Sequence, residues 1–211
     1  MIKSLIQKGV FLLSSVLYFD RGIEWLRATR NAKIRMQHVT VNGNVKFYDE
    51  AVVSNEQNDK SKIFVDDGTH VRGLLLIFGY GGQIRIGKNC YIGDHSRIWS
   101  GENISIGNNV LISHGVNVMD TNAHEIDYKL RAEGYIGLLK NGTKYLQGRV
   151  ETSEIIIEDD VWIGFNSIIM KGVKIGRGAI IAAGTVVTKD VPTFAMVGGN
   201  PARLLKQLSI E

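Results

Sequence analysis

One histidine carries the clearest candidate chemistry in the sequence. His124 ends the segment Asp120-Thr-Asn-Ala-His124, and Glu125 and Asp127 follow it closely. Histidine titrates near neutral pH, so it can accept a proton from a reacting hydroxyl or amine, and a nearby carboxylate can orient its ring. The sequence does not choose among the three carboxylates. On residue chemistry alone, His124 fits a general base and a solvated loop histidine equally well.

The only cysteine, Cys90, is a poor candidate for a nucleophile. It occupies a small-residue position of the repeat described below, which predicts a place inside the wall of the fold, whereas reactive thiols need exposure and a lowered pKa. A single cysteine also excludes an intrachain disulfide framework and a multi-cysteine zinc site. Both exclusions are compatible with the cytosol.

Composition and charge indicate a globular enzyme-sized chain. It has 211 residues, of which 44% are hydrophobic and 22% charged, which suits one domain with a small appendage. The net charge is +4, but the basic residues are dispersed and form no block of the kind that marks nucleic-acid binding. We therefore expect no nucleic-acid partner, whereas a mild positive balance suits ligands that carry phosphates.

The elements that must position these residues follow a six-residue period. Large aliphatic residues recur every six positions in two runs, with one eight-residue step in the first run. Glycine often comes directly after the aliphatic residue, and a small or β-branched residue comes four places after it. The aliphatic positions are Ile86, Ile92, Ile98, Ile106, Ile112 and Val118, then Ile157, Ile163, Ile169, Ile175, Ile181 and Val187.

A period of six fits neither an α-helix nor an alternating strand. It predicts a solenoid of short strands, three to a coil of about 18 residues, in which the aliphatic column stacks on itself and is buried by its neighbours. Each buried isoleucine contributes roughly 1.5–3 kcal/mol, so twelve form most of a core. The hand of the solenoid does not follow from the period.

Read with four longer segments, the repeat resembles the bacterial hexapeptide-repeat acyltransferases. The likeness is greatest to galactoside and maltose acetyltransferases and to the O-acetyltransferases of surface-polysaccharide synthesis, and it covers about residues 84–208. It implies a mainly β fold, a left-handed parallel β-helix that forms a homotrimer with active sites between subunits. It also implies acetyl-CoA as co-substrate and no metal. The four segments are 106–114, 157–164, 186–192 and 198–203.

The resemblance places the catalytic base at His124, with direct transfer of the acetyl group and no acyl-enzyme. We also expect Asp120 and Asn122, beside it in sequence, to contact the acceptor. Asp94 and His95 lie close to where related enzymes carry substrate-binding asparagines, although Gly93 stands where one such asparagine would fall. They are either acceptor-site residues or solvated corner residues.

For coenzyme A, the resemblance points to the later coils. It implies that Trp162 lies beside the pantetheine arm and that the backbone N–H of Phe165 donates to the thioester oxygen. Packing of Trp162 between subunits is the alternative interpretation. His114 is interpreted as mainly structural. The remaining residues expected to bind the coenzyme are Ala183, Gly184, Thr188, Lys189, Arg203 and Lys206.

The sequence divides into three segments. Residues 1–33 are predicted to be helical, residues 34–200 form the β-helix with an irregular first part and an excursion loop at 119–154, and residues 201–211 form a capping helix. The apolar run Gly9–Phe19 is shorter than the ~20 residues that span a bilayer. It suits a helix that packs on its own domain, on a partner or on a membrane surface. We expect a cytoplasmic protein, with the inner face of the membrane as an alternative place of work.

The leading functional interpretation is an O-acetyltransferase acting on a sugar, sugar nucleotide or lipid-linked saccharide in envelope polysaccharide synthesis. An N-acetyltransferase of an amino-sugar nucleotide is the runner-up. A non-catalytic hexapeptide scaffold would lack the base or the coenzyme segments, and both are present. A zinc solenoid of the carbonic anhydrase type would need His95, His114 and His124 as ligands across an interface, but the C-terminal coenzyme-type segments argue for the transferase.

Overall fold

Three parallel sheets form the sides of a solenoid, and each coil adds one short strand to every sheet. The structure is a computed structural model that describes residues 26, 29–142 and 150–209. Sheet I contains β1 Thr40–Val41, β4 Ile63–Val65, β7 Ile84–Ile86, β10 Ile104–Ile106, β13 Ile155–Ile157 and β16 Lys174–Ile175. Sheet II contains β2 Lys46–Phe47, β5 His70–Val71, β8 Tyr91–Ile92, β11 Leu111–Ile112, β14 Trp162–Ile163, β17 Ile180–Ile181, β19 Ala195–Gly198 and β20 Arg203–Gln207. Sheet III contains β3 Val52–Asn55, β6 Leu74–Ile77, β9 Arg97–Ser100, β12 Asn117–Met119, β15 Ile168–Ile169 and β18 Val186–Val187.

The turns between sheets define three corners, named here by the sheets they join. The I–II corner leads from sheet I to sheet II, the II–III corner from sheet II to sheet III, and the III–I corner starts the next coil. Apart from β20, all strand pairing in the three sheets is parallel. Residues with the same place in successive coils therefore stack along one corner, about 4.8 Å apart.

The predicted aliphatic column is confirmed as the core. All twelve of its positions are buried, with Ile106 the most exposed at 3%. The small-residue column faces inward as well, and Cys90 is a free thiol only 2% exposed. Burial raises the pKa of the Cys90 thiol, which supports the interpretation that it is not a nucleophile.

The first part of the solenoid is more regular than the sequence indicates. β1, β2 and β3 already form a complete first coil. Its period is hidden because the III–I corner that follows is lengthened by a 3₁₀ turn, Lys60–Lys62, which is capped by the side chain of Asp59. Before it, residues 29–38 are helical, five residues past the predicted boundary, and the Arg35 guanidinium anchors this helix by donating to the Ala51 carbonyl over 3.0 Å.

The predicted apolar run Gly9–Phe19 lies outside the described residues. Among the residues that the structure does describe, none of the helices is both long and apolar enough to cross a membrane.

The predicted C-terminal capping helix is wrong. Residues Arg203–Gln207 form β20, which pairs antiparallel with β19. The physical reason is the free edge of the last coil: β19 would otherwise expose a row of unpaired backbone groups, and an added strand satisfies them. The tertiary contact overrides the helical preference of an Arg-Leu-Leu-Lys-Gln segment. Arg203 and Lys206 remain exposed, but on a strand at the end of sheet II.

The predicted excursion loop contains a helix. Residues Tyr128–Asn141, named here the excursion helix, start at Asp127, whose carboxylate accepts from the backbone N–H groups of Lys129 and Leu130 at 2.9 and 3.0 Å. Such a cap satisfies donors that have no partner inside the helix. The helix buries only Gly137, so its stability depends on its ends.

We predict that Asp127→Ala destabilises the excursion helix by about 1 kcal/mol, since two backbone donors lose their acceptor. Amide hydrogen exchange of residues 128–132 should speed up accordingly, while exchange in the sheets stays unchanged. Asp127→Ser, which keeps a capping oxygen, serves as the matched control. Equal protection of the helix from amide hydrogen exchange in Asp127→Ala and wild type would contradict the capping role of Asp127.

Candidate active site

The II–III corner gathers several of the predicted site residues in one row. Backbone hydrogen bonds of 2.9, 3.0 and 2.8 Å link Gly115 to Asp94, Asn166 to His114 and Gly184 to Phe165 along the corner. The chain order of these turns is therefore their spatial order. The structure thus brings Asp94 and His95 onto the same edge as Phe165, Ala183 and Gly184.

The later part of this corner forms a shallow surface suited to a long, thin ligand. Ala183 and Gly184 are exposed, and a Cβ at Gly184 would meet nothing within 4 Å. Beneath them the coils are tightly stacked, because a Cβ at Gly164 would lie 2.6 Å from the Ala183 nitrogen. Small residues therefore leave the backbone accessible along this strip of the surface, which is named here the channel.

Trp162 and Phe165 border this channel with exposed aromatic surface. Trp162 is 47% exposed and its indole N–H donates to the Ser113 hydroxyl over 3.4 Å. Phe165 is 48% exposed, and its ring stacks on His114 with centroids 5.3 Å apart and planes 6° from parallel. This stack was not predicted; the shared position of both residues at their corner is the signal that indicates it.

The backbone N–H of Phe165 has no hydrogen-bond acceptor among the described residues, although the Phe165 carbonyl accepts from Gly184. An N–H fixed by a turn and left without a partner is suited to donate to a ligand oxygen. This is the atom that the sequence resemblance assigns to the thioester oxygen.

His124 lies at a different corner. The chain leaves sheet III after β12, so His124 stands in the III–I turn, where it is exposed and its side chain has no hydrogen-bond or ion-pair partner within the described residues. Asp127 caps the excursion helix, and Glu125 is 7% exposed with its carbonyl bound by Arg131. None of the three neighbouring carboxylates hydrogen-bonds to His124.

Asp120 is a buried structural carboxylate. It is 0% exposed and accepts from the Ser100 hydroxyl at 2.7 Å and from the Gly101 and Glu102 N–H groups at 2.6 and 3.1 Å. Burial raises the pKa of Asp120 despite these hydrogen bonds, which act in the opposite direction. Asp120 has no exposed surface, so it cannot contact the acetyl acceptor as predicted. The alternation of side chains after Val118, inward and then outward, is the sequence signal for its inward position.

The start of the excursion is anchored just before His124. Thr121 is 4% exposed and its hydroxyl lies 2.9 Å from the Tyr80 hydroxyl. The Asn122 N–H donates to the Glu151 carbonyl over 3.0 Å, so Asn122 ties the outgoing chain to the returning chain. These contacts place His124 two residues beyond a fixed anchor.

The residues predicted to bind coenzyme A are divided between places on the surface. Trp162, Phe165, Ala183 and Gly184 flank the II–III corner, whereas Thr188 and Lys189 are exposed at the III–I corner, on the same edge as His124. Within the described part of one chain, no single edge holds both sets. Exposed apolar side chains flank the II–III corner and the end of sheet III: Leu111, Trp162, Phe165, Ile168 and Met170.

Comparison with known proteins agrees with the repeat architecture. A family described as bacterial transferase hexapeptide (six repeats) matches residues 154–189, and the hexapeptide repeat of succinyl-transferase matches residues 83–119. Both runs of the repeat are therefore similar to the hexapeptide repeats of bacterial transferases. The predicted fold class of this hexapeptide-repeat chain, a left-handed parallel β-helix, is confirmed, with the C-terminal strand as the correction given above.

Relatives of the hexapeptide-repeat chain include galactoside O-acetyltransferase of Escherichia coli (strain K12), 35% identical over 134 residues that cover 64% of this chain and 59% of that protein. The chain thus spans less than two thirds of the length of this relative. A hexapeptide-repeat acetyltransferase of Vibrio cholerae O1 biovar eltor, solved with acetyl-CoA, is 35% identical with a TM-score of 0.52 and coverages of 64% and 66%. AntD, an N-acyltransferase from Bacillus cereus, shares the fold at 19% identity, with a TM-score of 0.65 and coverages of 84% and 88%.

Proposed function

We propose that this chain transfers an acetyl group from acetyl-CoA to a saccharide hydroxyl, as a cytoplasmic enzyme of envelope polysaccharide synthesis. The observation that carries the proposal is the open channel on the II–III corner, with small residues at its floor, exposed Trp162 at its side and the unpartnered Phe165 N–H. A relative of similar sequence was solved with acetyl-CoA.

In the proposed reaction His124 is the general base. Its unprotonated ring nitrogen takes the proton from the acceptor hydroxyl while the hydroxyl oxygen attacks the thioester carbonyl. The Phe165 N–H stabilises the negative charge that develops on the carbonyl oxygen. The carbon–sulfur bond then breaks, and the departing thiolate receives the proton from His124. The products are an acetyl ester and free coenzyme A, and no acyl-enzyme forms.

We also propose that the active site lies between copies of the chain in a homotrimer. The base and Lys189 are on one edge of the solenoid, and the channel is on another. Two different surfaces in contact form a heterologous interface, which closes into a ring when the rotation permits. The exposed apolar residues that flank the channel supply contact area for such an interface.

The test of the proposed function is coenzyme A release from acetyl-CoA against free sugars, nucleotide sugars and amino sugars, with the product identified by mass. An acetyl ester, released by mild base, is expected. A base-stable amide would contradict O-acetylation and identify the runner-up, an N-acetyltransferase of an amino sugar nucleotide. Absence of acetyl-CoA binding would contradict the proposed acetyltransferase activity and favour a non-catalytic hexapeptide scaffold.

We predict that Ala183→Trp weakens acetyl-CoA binding about 100-fold, which is about 2.7 kcal/mol, because the indole fills the channel. Isothermal titration of acetyl-CoA measures the change. Lys88→Trp, an exposed substitution at the I–II corner, is the matched control and should bind acetyl-CoA as wild type does. Unchanged affinity in Ala183→Trp would show that the ligand lies elsewhere.

A further inference from the structure

A second cavity lies on the II–III corner, nearer the N-terminus than the acetyl-CoA channel. Its volume is about 490 Å³, and the residues that line it come from three consecutive turns and the adjoining part of sheet III. They are Glu50, Val52, Arg72, Gly73, Leu74, Asp94, His95, Ser96 and Arg97. The proposed mechanism uses none of these residues.

The distance of this cavity from the proposed reaction centre is set by the coil spacing. Asp94 is linked to the His114 turn and that turn to the Phe165 turn by the backbone bonds given above. Two coil steps place Asp94 about 10 Å from Phe165, and a third step places Arg72 about 14 Å away. Both separations are longer than one pyranose ring.

The charges in the cavity are balanced and partly fixed in place. Arg72 forms an ion pair with Glu50, and its guanidinium lies 3.8 Å from the centre of the Tyr48 ring. Asp94 lies 3.7 Å from the His95 ring nitrogen, and Arg97 donates to the Asn117 side chain over 3.3 Å. The side chains of Arg72 and Glu50 keep 34% and 42% of their surface exposed, so both can still contact a ligand.

This arrangement suits an uncharged, hydroxyl-rich ligand. Carboxylates accept hydrogen bonds from hydroxyls and guanidinium groups donate to them. Val52 is 46% exposed and, with Leu74, gives an apolar floor for the carbon face of a ring. A diphosphate would instead require cations without carboxylates beside them, because each carboxylate here would repel it.

We propose that this cavity binds a second sugar unit of the acceptor, so that the enzyme acetylates an oligosaccharide or glycan in preference to a monosaccharide or nucleotide sugar. The inference rests on the proposed function, since it assumes that acetyl transfer takes place near Phe165. It assigns Arg72 and Asp94 as residues that determine acceptor length.

The test compares kcat/KM for a hexose and for its di- and trisaccharides in wild type, Arg72→Gln and a control. Wild type should favour the oligosaccharides. Arg72→Gln should lower their kcat/KM about 10- to 100-fold, the effect of losing a charged hydrogen bond, and leave the monosaccharide unchanged. Arg177→Gln is the matched control, because Arg177 also pairs with a carboxylate, Asp160, at the I–II corner.

Equal kcat/KM for all lengths in wild type, or an equal loss on every acceptor in Arg72→Gln, would overturn the inference. So would the absence of oligosaccharide binding in saturation-transfer NMR with coenzyme A present. Failure of the proposed function itself has a different signature, since acetyl-CoA would then fail to bind or no acceptor of any class would be acetylated.

Discussion

Replacing His124 by alanine is expected to lower kcat for acetyl transfer by about 10²–10⁴-fold, the range over which a positioned general base contributes. The acceptor hydroxyl would lose the group that removes its proton during attack. The dissociation constant of acetyl-CoA should stay within twofold of wild type, because the proposed role of His124 is to take a proton from the acceptor hydroxyl and not to hold the coenzyme. Steady-state kinetics and isothermal titration measure the two quantities separately.

The matched control is Glu133→Ala, an exposed substitution on the excursion helix. It should leave kcat unchanged, which shows that disturbance of the excursion alone does not stop the reaction. A His124→Ala enzyme that keeps kcat within a few-fold of wild type would refute the role of His124 as general base. Loss of acetyl-CoA affinity with kcat intact would assign His124 to binding instead.

Asp120→Ala is expected to destabilise the protein by about 3–5 kcal/mol, because three donors lose their acceptor at once, two of them buried, on Ser100 and Gly101, and one partly buried, on Glu102. Urea denaturation followed by circular dichroism measures the free energy of unfolding. Asp127→Ala, which removes an exposed carboxylate that accepts from two backbone donors, is the matched control and should lower the global free energy of unfolding by less than about 1 kcal/mol, because its effect is confined to the excursion helix. A loss below the control value would show that the buried hydrogen bonds contribute little.

The pH dependence of the same residue has a definite sign. Burial raises the pKa of Asp120 in the folded chain above its unfolded value, so the folded chain holds a proton that the unfolded chain releases. The contribution of Asp120 to stability is therefore greatest below the unfolded pKa and is lost as pH rises through the folded pKa. Asp120→Asn does not titrate there, so wild type should lose stability relative to Asp120→Asn across this window. A constant difference across that pH range would contradict the raised pKa.

The sequence predicted the regular part of the fold well because its physical cause is repeated. A buried aliphatic residue every six positions leaves one geometry that stacks all of them. The same pattern recurs in every coil, so each repeat supports the same prediction. The C-terminal segment was predicted wrongly for the opposite reason. Arg203–Gln207 occurs once, and the free edge of β19 that makes it a strand becomes visible only when the last coil is folded.

The sequence predicted the position in the fold of some candidate site residues but not of others. Trp162, Phe165 and Gly184 share a corner because the period fixes their places, so their meeting could be derived. His124 follows an interruption of the repeat, where no period applies, and its separation from the channel required the structure. The inward position of Asp120 depends on one step of alternation after Val118, a signal too short to distinguish from the start of a loop.

The central claim is that the base of one copy acts on the channel of another, and mixed oligomers test it most directly. His124→Ala lacks the base and Ala183→Trp has a blocked channel, so each alone should be nearly inactive at acetyl-CoA concentrations near the wild-type KM. Trimers formed from an equal mixture should regain about a quarter of wild-type activity, because about one interface in four combines an intact base with an intact channel. Mixed oligomers, verified with two affinity tags, that show no recovery would place the base and the channel within one chain and contradict the account.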